Sequence, residues 1–325
     1  MKNSFRNRKK AEKACGVYKM NGVLNVYKEA GFTSHDVVAK LRGIAKQKKI
    51  GHTGTLDPDA EGVLPVCLGN ATKLCGLLSE KEKTYQAVLL LGRTTDTQDT
   101  SGKTLSQSPV NVKEDGIREA VLSFLGDYDQ VPPMYSALKV GGKKLYELAR
   151  EGKEVERKPR RVRILDITIH WIRIPEVCFT VTCTSGTYIR TLCYDIGESL
   201  GCGGCMKSLL RTRVDRFQLE ESLRLSQIEE LAREGRLPEI LLPVDEVFPA
   251  YPKLWIREES NRLVHNGNPF SGSDVERILE ADESAGANAG EASDGHVRVY
   301  DSSGSFVGIY RWAEAVYRPV KMFLS

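Results

Sequence analysis

No stretch of the 325-residue chain approaches the roughly 20 consecutive apolar residues that cross a bilayer as a helix, so no membrane-spanning helix is expected. Residues Met1 to Lys19 are basic and polar with no apolar core, and are not expected to act as a secretory signal. Eight cysteines in a chain of this length make no disulfide framework. Cys202 and Cys205 form a single CxxC, and no second CxxC or paired His follows at a zinc-ligand spacing. The stretch GCGGC therefore reads as a glycine-rich turn, and no metal is expected. No GK[ST] closes the glycine-rich segment 51–62, which excludes a phosphate-binding P-loop there. Collagen, coiled coil and low-complexity disorder are excluded for the chain as a whole by 41% hydrophobic and 28% charged residues. The expectation is a soluble, cytoplasmic protein long enough for a large core and two domains.

Charge of one sign is also scarce, with 47 Lys+Arg against 43 Asp+Glu, but its distribution is uneven. Residues 1–20 hold seven basic side chains and one acid, and read as a flexible basic tail. Residues 139–163 carry ten basic and four acidic side chains, with four arginines between Arg157 and Arg163. Residues 271–295 reverse the sign, with seven acids and one Arg. Because a partner feels the local field, the two basic stretches matter more than the net +4.

Periodicity places the elements. VLNVYK (23–28) reads as a strand, and Thr33 with Asp36 as a capping box opening a helix that carries Val37, Val38, Leu41, Ile44 and Ala45. Residues 50–64 read as loop, and Asn70 as the cap of a helix with Leu74, Leu77 and Leu78 on one face. Residues 83–92 form a strand and 94–103 a polar turn; 112–125 and 144–150 are helical, and 132–144 is loop. Residues 161–174 and 177–183 read as a strand hairpin, 187–200 as a helix, and Ser226 as the start of another. After Pro249 come a short helix (258–265) and the strands HVRVY, SFVGIYRW and AVYRPVKMF, around an acidic disordered loop at about 280–295. This order suggests an α+β protein.

Three polar segments could carry chemistry. In GHTGTLDPDAEG (51–62), Pro58 biases Asp57 towards an extended backbone that presents its carboxylate; the competing reading is an N-cap with Pro58 at the first helical position. In SGTYIRT (185–191), Arg190 opens a helix against the favourable dipole direction, so either it has an anionic partner or it is a surface Arg. In KTYQ (83–86), Tyr85 starts an apolar strand, as packing or as a stacking platform for a base.

Together with their neighbours these segments resemble one family. GHTGTLDPDAEGVLPVCLGNATK (51–73) resembles the TruB family of tRNA pseudouridine synthases, and NVYKEAGFTSHDVV (25–38) its first motif. KTYQA (83–87), TTDTQDTSG (94–102), PPMYSALKVGGKKLYELAREG (132–152), SGTYIRTL (185–192) and LLRTRVDRF (209–217) continue the match in order, over roughly residues 20–245. The resemblance implies a mixed antiparallel sheet core with flanking helices and loops over 21–248. A small β-barrel-like, PUA-type RNA-binding domain is implied over 249–325. The implied reaction isomerises one uridine, position 55 in the T-loop of tRNA, without cofactor, guide RNA or membrane. A monomer is expected, because one cleft can grip one folded RNA.

Residue by residue, Asp57 matches the family's catalytic aspartate, Arg190 its ionic partner and Tyr85 the ring that stacks on the target base. His52 matches the His that fills the space left by the extruded nucleotide. Tyr188 and Leu210 are implied to line the pocket, and Lys28 to support the first motif structurally. Lys139, Lys143, Arg160, Arg161 and Arg163 are placed to meet RNA phosphates. Where the family commonly has Gly, this chain has Asp215, and a side chain there is expected to alter a tight turn. Two other readings stand beside this one: a related synthase acting on another RNA, or a non-catalytic RNA-binding or RNA-folding protein that keeps the fold.

Overall fold

Alternation dictates the centre of the sheet. In a computed structural model that describes residues 20–280 and 295–324, the buried side chains of one central strand fall on every second residue, from Lys83 to Leu91. The basic tail, apart from Met20, and nearly all of the acidic loop expected near 280–295 lie outside the described residues.

The strands, in chain order, are β1 (Gly22–Lys28), β2 (Ile50–His52), β3 (Glu61–Leu68), β4 (Lys83–Leu91), β5 (Arg93–Thr95), β6 (Thr104–Gln107), β7 (Gly126–Gln130), β8 (Lys139–Val140), β9 (Lys143–Lys144), β10 (Arg160–Arg173), β11 (Glu176–Cys183), β12 (Gly204–Val214), β13 (Phe217–Gln218), β14 (Lys253–Ile256), β15 (Val275–Leu279), β16 (His296–Tyr300), β17 (Phe306–Ala313) and β18 (Val316–Met322). The main sheet runs β1-β3-β12-β4-β11-β10-β7, with β2 on β3 and β13 on β12. It is mixed: β12 pairs antiparallel with β4 and parallel with β3. At that parallel contact the backbones come so close that a Cβ on Gly62 would stand 2.2 Å from the Arg211 carbonyl oxygen, so only glycine fits.

Helices cover the sheet by burying their apolar stripes. Helix Ser34–Ile44 has Thr33 as N-cap and the reciprocal capping box with Asp36. It shares a core with Leu24, Val26, Leu64 and Val66 of the sheet and Leu225 and Ile228 of helix Leu225–Arg233. Helices Glu114–Leu122 and Ile189–Ser199 cover β4, β11 and β12; Leu89, Phe179, Leu192 and Ile196 are fully buried there. Each such side chain contributes about 1.5–3 kcal/mol of burial free energy.

Several expectations are corrected. The span 50–64 is not all loop: β2 lies in it and β3 begins in it. Asn70 caps no helix; it lies within a 3-10 turn, Gly69–Leu74, and its amide donates to the Phe323 carbonyl at 3.0 Å. The helix expected at Ser226 starts one residue earlier, with Arg224 as N-cap. The turn at Asp215 survives its side chain, which sits at φ 50 in the left-handed region that Asp tolerates.

The C-terminal strands form a five-stranded sheet in the order β15-β14-β16-β17-β18. That order is open, and among the described residues the β-barrel-like form that the resemblance implied does not close. Pro319 is accommodated in β18 because this strand lies at the edge. The two parts share a core: Ile309 and Phe323 pack with Val23, Val63, Leu74 and Val247.

Candidate active site

The segment between β2 and β3 carries Asp57. It forms a turn rather than a helix: the Ala60 N–H donates to the Asp57 carbonyl at 3.1 Å. The N-cap reading of Asp57 is thereby excluded, and its carboxylate is free for another partner. That partner is Arg190, 133 residues away. Arg190 Nε lies 2.9 Å from Asp57 Oδ2, and Nη2 donates to Oδ1 at 3.1 Å. This is the bidentate fork that guanidinium and carboxylate geometry favours. Arg190 also donates to the carbonyls of Thr97 (3.0 Å) and Tyr135 (2.9 Å). An Arg at the start of helix Ile189–Ser199, against the dipole, is thus held by four acceptor contacts.

The pair stands in a cleft of about 840 Å³. The Arg190 side chain is 6% exposed and that of Asp57 39%, so the carboxylate is the accessible partner. Burial pushes the Asp57 carboxyl above its ordinary value, Arg190 pulls it back, and Asp99 pushes it up again. Asp99 Oδ2 lies 3.9 Å from Arg190 Nη1, so two carboxylates share one guanidinium. A reaction that needs ionised Asp57 should lose rate as pH falls through a value above the free-aspartate range. A pH–rate profile measures this directly, and an acid limb at or below the free value would contradict it.

Tyr85, Arg190 and Tyr188 line the cleft with Asp57. Tyr85 is 8% exposed, and burial pushes its phenol up to about 12. Tyr188 is the N-cap residue before Arg190, its backbone held at both N–H and carbonyl by the Gln130 side chain. Lys28 is structural, as expected: its buried ammonium donates to the carbonyls of Pro58 (2.9 Å) and Ala60 (2.5 Å), fixing the far side of the Asp57 turn.

His52 packs its ring edge-on against His35, centroids 5.3 Å apart, and His35 lines the cleft. Burial, with His35 and Arg211 nearby, lowers His52 to about 4, which keeps it neutral at pH 7. Leu210 alternates away from the cleft, while Leu209 and Arg211 face it; a strand's period of two makes this a one-residue difference. Leu209→Ala should cut the reaction rate about tenfold through loss of positioning. Leu210→Ala should leave the rate alone and cost about 1–2 kcal/mol of stability. Steady-state rates and thermal melts on both variants decide this, and the reverse pattern would place Leu210 at the site.

The expected phosphate contacts are all exposed, but several are already paired. Arg161 bridges Asp127 (3.2 Å) and Asp129 (3.0 Å), Arg163 lies 3.9 Å from Asp127, and Lys143 lies 3.4 Å from Glu151. Strand β7, beside β10, supplies the two aspartates. Arg160 and Lys139 are exposed as well. Besides Arg190, the lysines and arginines that line the cleft are Lys83, Lys144, Arg150, Lys207 and Arg211, with Tyr146 among them. Asp99, Lys144 and Arg211 lay within the matched motifs, but nothing in their spacing singled them out.

Family models match two consecutive stretches: TruB family pseudouridylate synthase (N terminal domain) over residues 42–189, and tRNA pseudouridylate synthase B C-terminal domain over 190–248. A protein named tRNA pseudouridine synthase B from Lachnoclostridium phytofermentans is 53% identical over 315 residues, covering 94% of this chain and all of that one. One of the same name from Alkaliphilus oremlandii is 51% identical over 249 residues, covering 77% and 82%. Among solved structures, an H/ACA RNP bound to a substrate RNA containing 2'-deoxyuridine gives a TM-score of 0.68 at 25% identity, covering 94% of this chain and 85% of that one. A Cbf5-Nop10-Gar1 complex gives 0.68 at 26%, covering 96% and 87%. With the Asp57–Arg190 fork, the Tyr85 ring and these matches in agreement, the chain belongs to the TruB family of tRNA pseudouridine synthases.

Proposed function

We propose that this enzyme converts one uridine in the T-loop of tRNA, position 55, to pseudouridine, with Asp57 as nucleophile on a nucleotide drawn out of its stack. The observation that carries the reading is the accessible Asp57 carboxylate, held in a bidentate fork by buried Arg190 inside the cleft. A carboxylate so paired stays ionised when substrate displaces water, which a nucleophile requires. Asp57 adds to the extruded nucleotide, the C1′–N1 bond breaks, the base turns and C1′ bonds to C5; the bond to Asp57 then breaks and returns the carboxylate, C5 loses its proton and N1 gains one. The change is an isomerisation with no net oxidation.

Tyr85 serves as the platform for the extruded uracil, with Leu209 and Tyr188 as further walls. Neutral His52, behind His35, fills the place the nucleotide leaves. Lys144 and Arg150 at the cleft, with exposed Arg160 and Lys139, meet the phosphates of the T-arm. The C-terminal sheet acts as a PUA-type RNA-binding unit, and the protein works as a monomer without a guide RNA. Relatives above 50% identity carry the name tRNA pseudouridine synthase, against 25% for the RNP chain, which supports the guide-free reading.

The reading is tested with an isolated T-arm stem-loop. It should be converted at one uridine, and the same stem-loop with cytidine at that position should yield nothing. Conversion of unrelated stem-loops at equal rates would contradict it. Tyr85→Ala should lower the rate roughly 10- to 100-fold, the value of one base–aromatic stack, while tRNA affinity in a filter-binding assay stays near wild type. An unchanged rate would remove Tyr85 from the reaction.

A further inference from the structure

Ion pairing divides the exposed cations of this molecule into two groups. Arg161, Arg163 and Lys143 each have a carboxylate partner. Between Asp36 and Asp57 the chain carries Lys40, Arg42, Lys46, Lys48 and Lys49 and no acid. All five are exposed, and among the described residues none of them makes an ion pair. Their contacts are to neutral groups: Arg42 Nη2 donates to the Ile50 carbonyl and Lys49 Nζ to Asn70 Oδ1, both at 3.3 Å, and Lys40 Nζ lies 4.1 Å from the centre of the Phe32 ring. On the adjoining helix Leu225–Arg233 and the turn after it, Glu229 and Glu234 are matched by Arg233 (2.8 Å) and Arg236 (3.1 Å).

The backbone gathers these cations at one end of a hairpin. Helix Ser34–Ile44 begins at the cleft, which Thr33 and His35 line. Arg42 follows His35 by seven residues, close to two full turns, so the two share a face of the helix. Eleven residues carry that face about 16 Å from the cleft. There the chain turns through Lys46, at φ 48, and returns along β2 to His52, whose ring meets that of His35. Lys46, Lys48 and Lys49 thus stand at the far end, around buried Gln47. The Gln47 side chain accepts from the Met20 N–H at 2.8 Å and donates to the Met20 carbonyl at 3.0 Å, and the Gly69 N–H donates to the Lys49 carbonyl at 2.8 Å. The turn is pinned from both sides while its lysines stay exposed. Met20 is also where residues 1–19, with seven basic side chains and one acid, join the described chain, so their charge is tethered to this end.

Cations without a protein counter-ion keep a positive local field that a polyanion neutralises, with release of its own counter-ions. We propose that Arg42, Lys46, Lys48 and Lys49 form a phosphate-binding face for the RNA substrate, one helix length from the cleft, and that this face rather than the ion-paired Arg161 and Arg163 grips it. This rests on the reading of the cleft as the site of uridine isomerisation in tRNA. Phosphates laid on the face hold the RNA while its loop enters the cleft. The face stands apart from the reacting nucleotide, so it contributes affinity and not rate.

The test uses the full chain and unmodified tRNA. One variant carries Lys46→Gln, Lys48→Gln and Lys49→Gln, and a second carries Arg161→Gln and Arg163→Gln. Circular dichroism and thermal melts check that each folds, and filter binding over a range of salt concentrations reads affinity and its salt slope. The triple variant should bind roughly 10- to 100-fold more weakly at low salt. Its slope of log affinity against log salt should be shallower by about 2 to 3, close to one per lost phosphate contact. KM for tRNA should rise with Kd while kcat stays within about twofold. The double variant should stay within about threefold of wild-type affinity. Unchanged affinity and slope in the folded triple variant, a loss confined to kcat, or an equal loss per removed charge in the double variant would overturn the proposal. So would a triple variant that loses binding to phosphatidylserine vesicles but keeps its tRNA affinity, which would assign the face to a membrane. Should the triple variant not fold, Arg42→Gln combined with Lys48→Gln decides by the same criteria. Affinity is read without catalysis, so a wild-type chain that binds tRNA but makes no pseudouridine would remove the reading of the cleft, and the comparison of variants would still decide the face.

Discussion

Asp57→Asn protein should fold, bind unmodified tRNA with wild-type affinity and make no detectable pseudouridine. Asn is isosteric with Asp and can still accept one hydrogen bond from the Arg190 fork, so the cleft keeps its shape. The other contacts of Arg190, to the Thr97 and Tyr135 carbonyls, are untouched. What disappears is the anionic nucleophile. Losing such a group costs on the order of 10⁴-fold or more in rate, which takes the reaction below detection. Residual activity within about tenfold of wild type would remove Asp57 from the chemistry. A protein that no longer folds would mean that the carboxylate serves the turn rather than the reaction.

Arg190→Met should be damaging in two separable ways. The guanidinium is buried and joins the Asp57 turn, the Thr97–Asp99 loop and Tyr135. Removing it orphans two carbonyls and leaves two carboxylates facing each other, which should cost about 2–4 kcal/mol, tempered by the exposure of Asp57 to the cleft. Thermal melts read that part. The second effect is on titration. Arg190 opposes the upward push of burial on Asp57, and without it the carboxyl should be held protonated to a higher pH. The acid limb of the pH–rate profile should therefore move up relative to wild type, on top of a rate loss of roughly 10²-fold from misplacement. An acid limb that stays where it was would show that Arg190 supports the fold alone.

The sequence made local features legible. The Thr33–Asp36 capping box lies within one helical turn, and the alternation from Lys83 to Leu91 within one strand, so both could be read without knowing the fold. Features made by distant pairing could not. Spacing alone left Asp57 between a helix cap and a presented carboxylate, because its partner lies 133 residues on. Strand β12 has no clear local signal, because Lys207, Ser208 and Arg213 interrupt its apolar residues and its register shifts twice against β4. Its true facing put Leu209, not Leu210, in the cleft. The pairing of Arg161 and Arg163 is invisible locally, because Asp127 and Asp129 sit on a strand about thirty residues earlier. Whether the C-terminal strands close is likewise a matter of long-range pairing, which no local pattern encodes.

The most direct measurement is to incubate the purified wild-type chain with unmodified tRNA, with no guide RNA and no cofactor added, and to map pseudouridine by chemical probing across the whole RNA. The expected result is a single modified position, uridine 55 in the T-loop. Product at other positions, or none from a folded protein that binds tRNA, would contradict it.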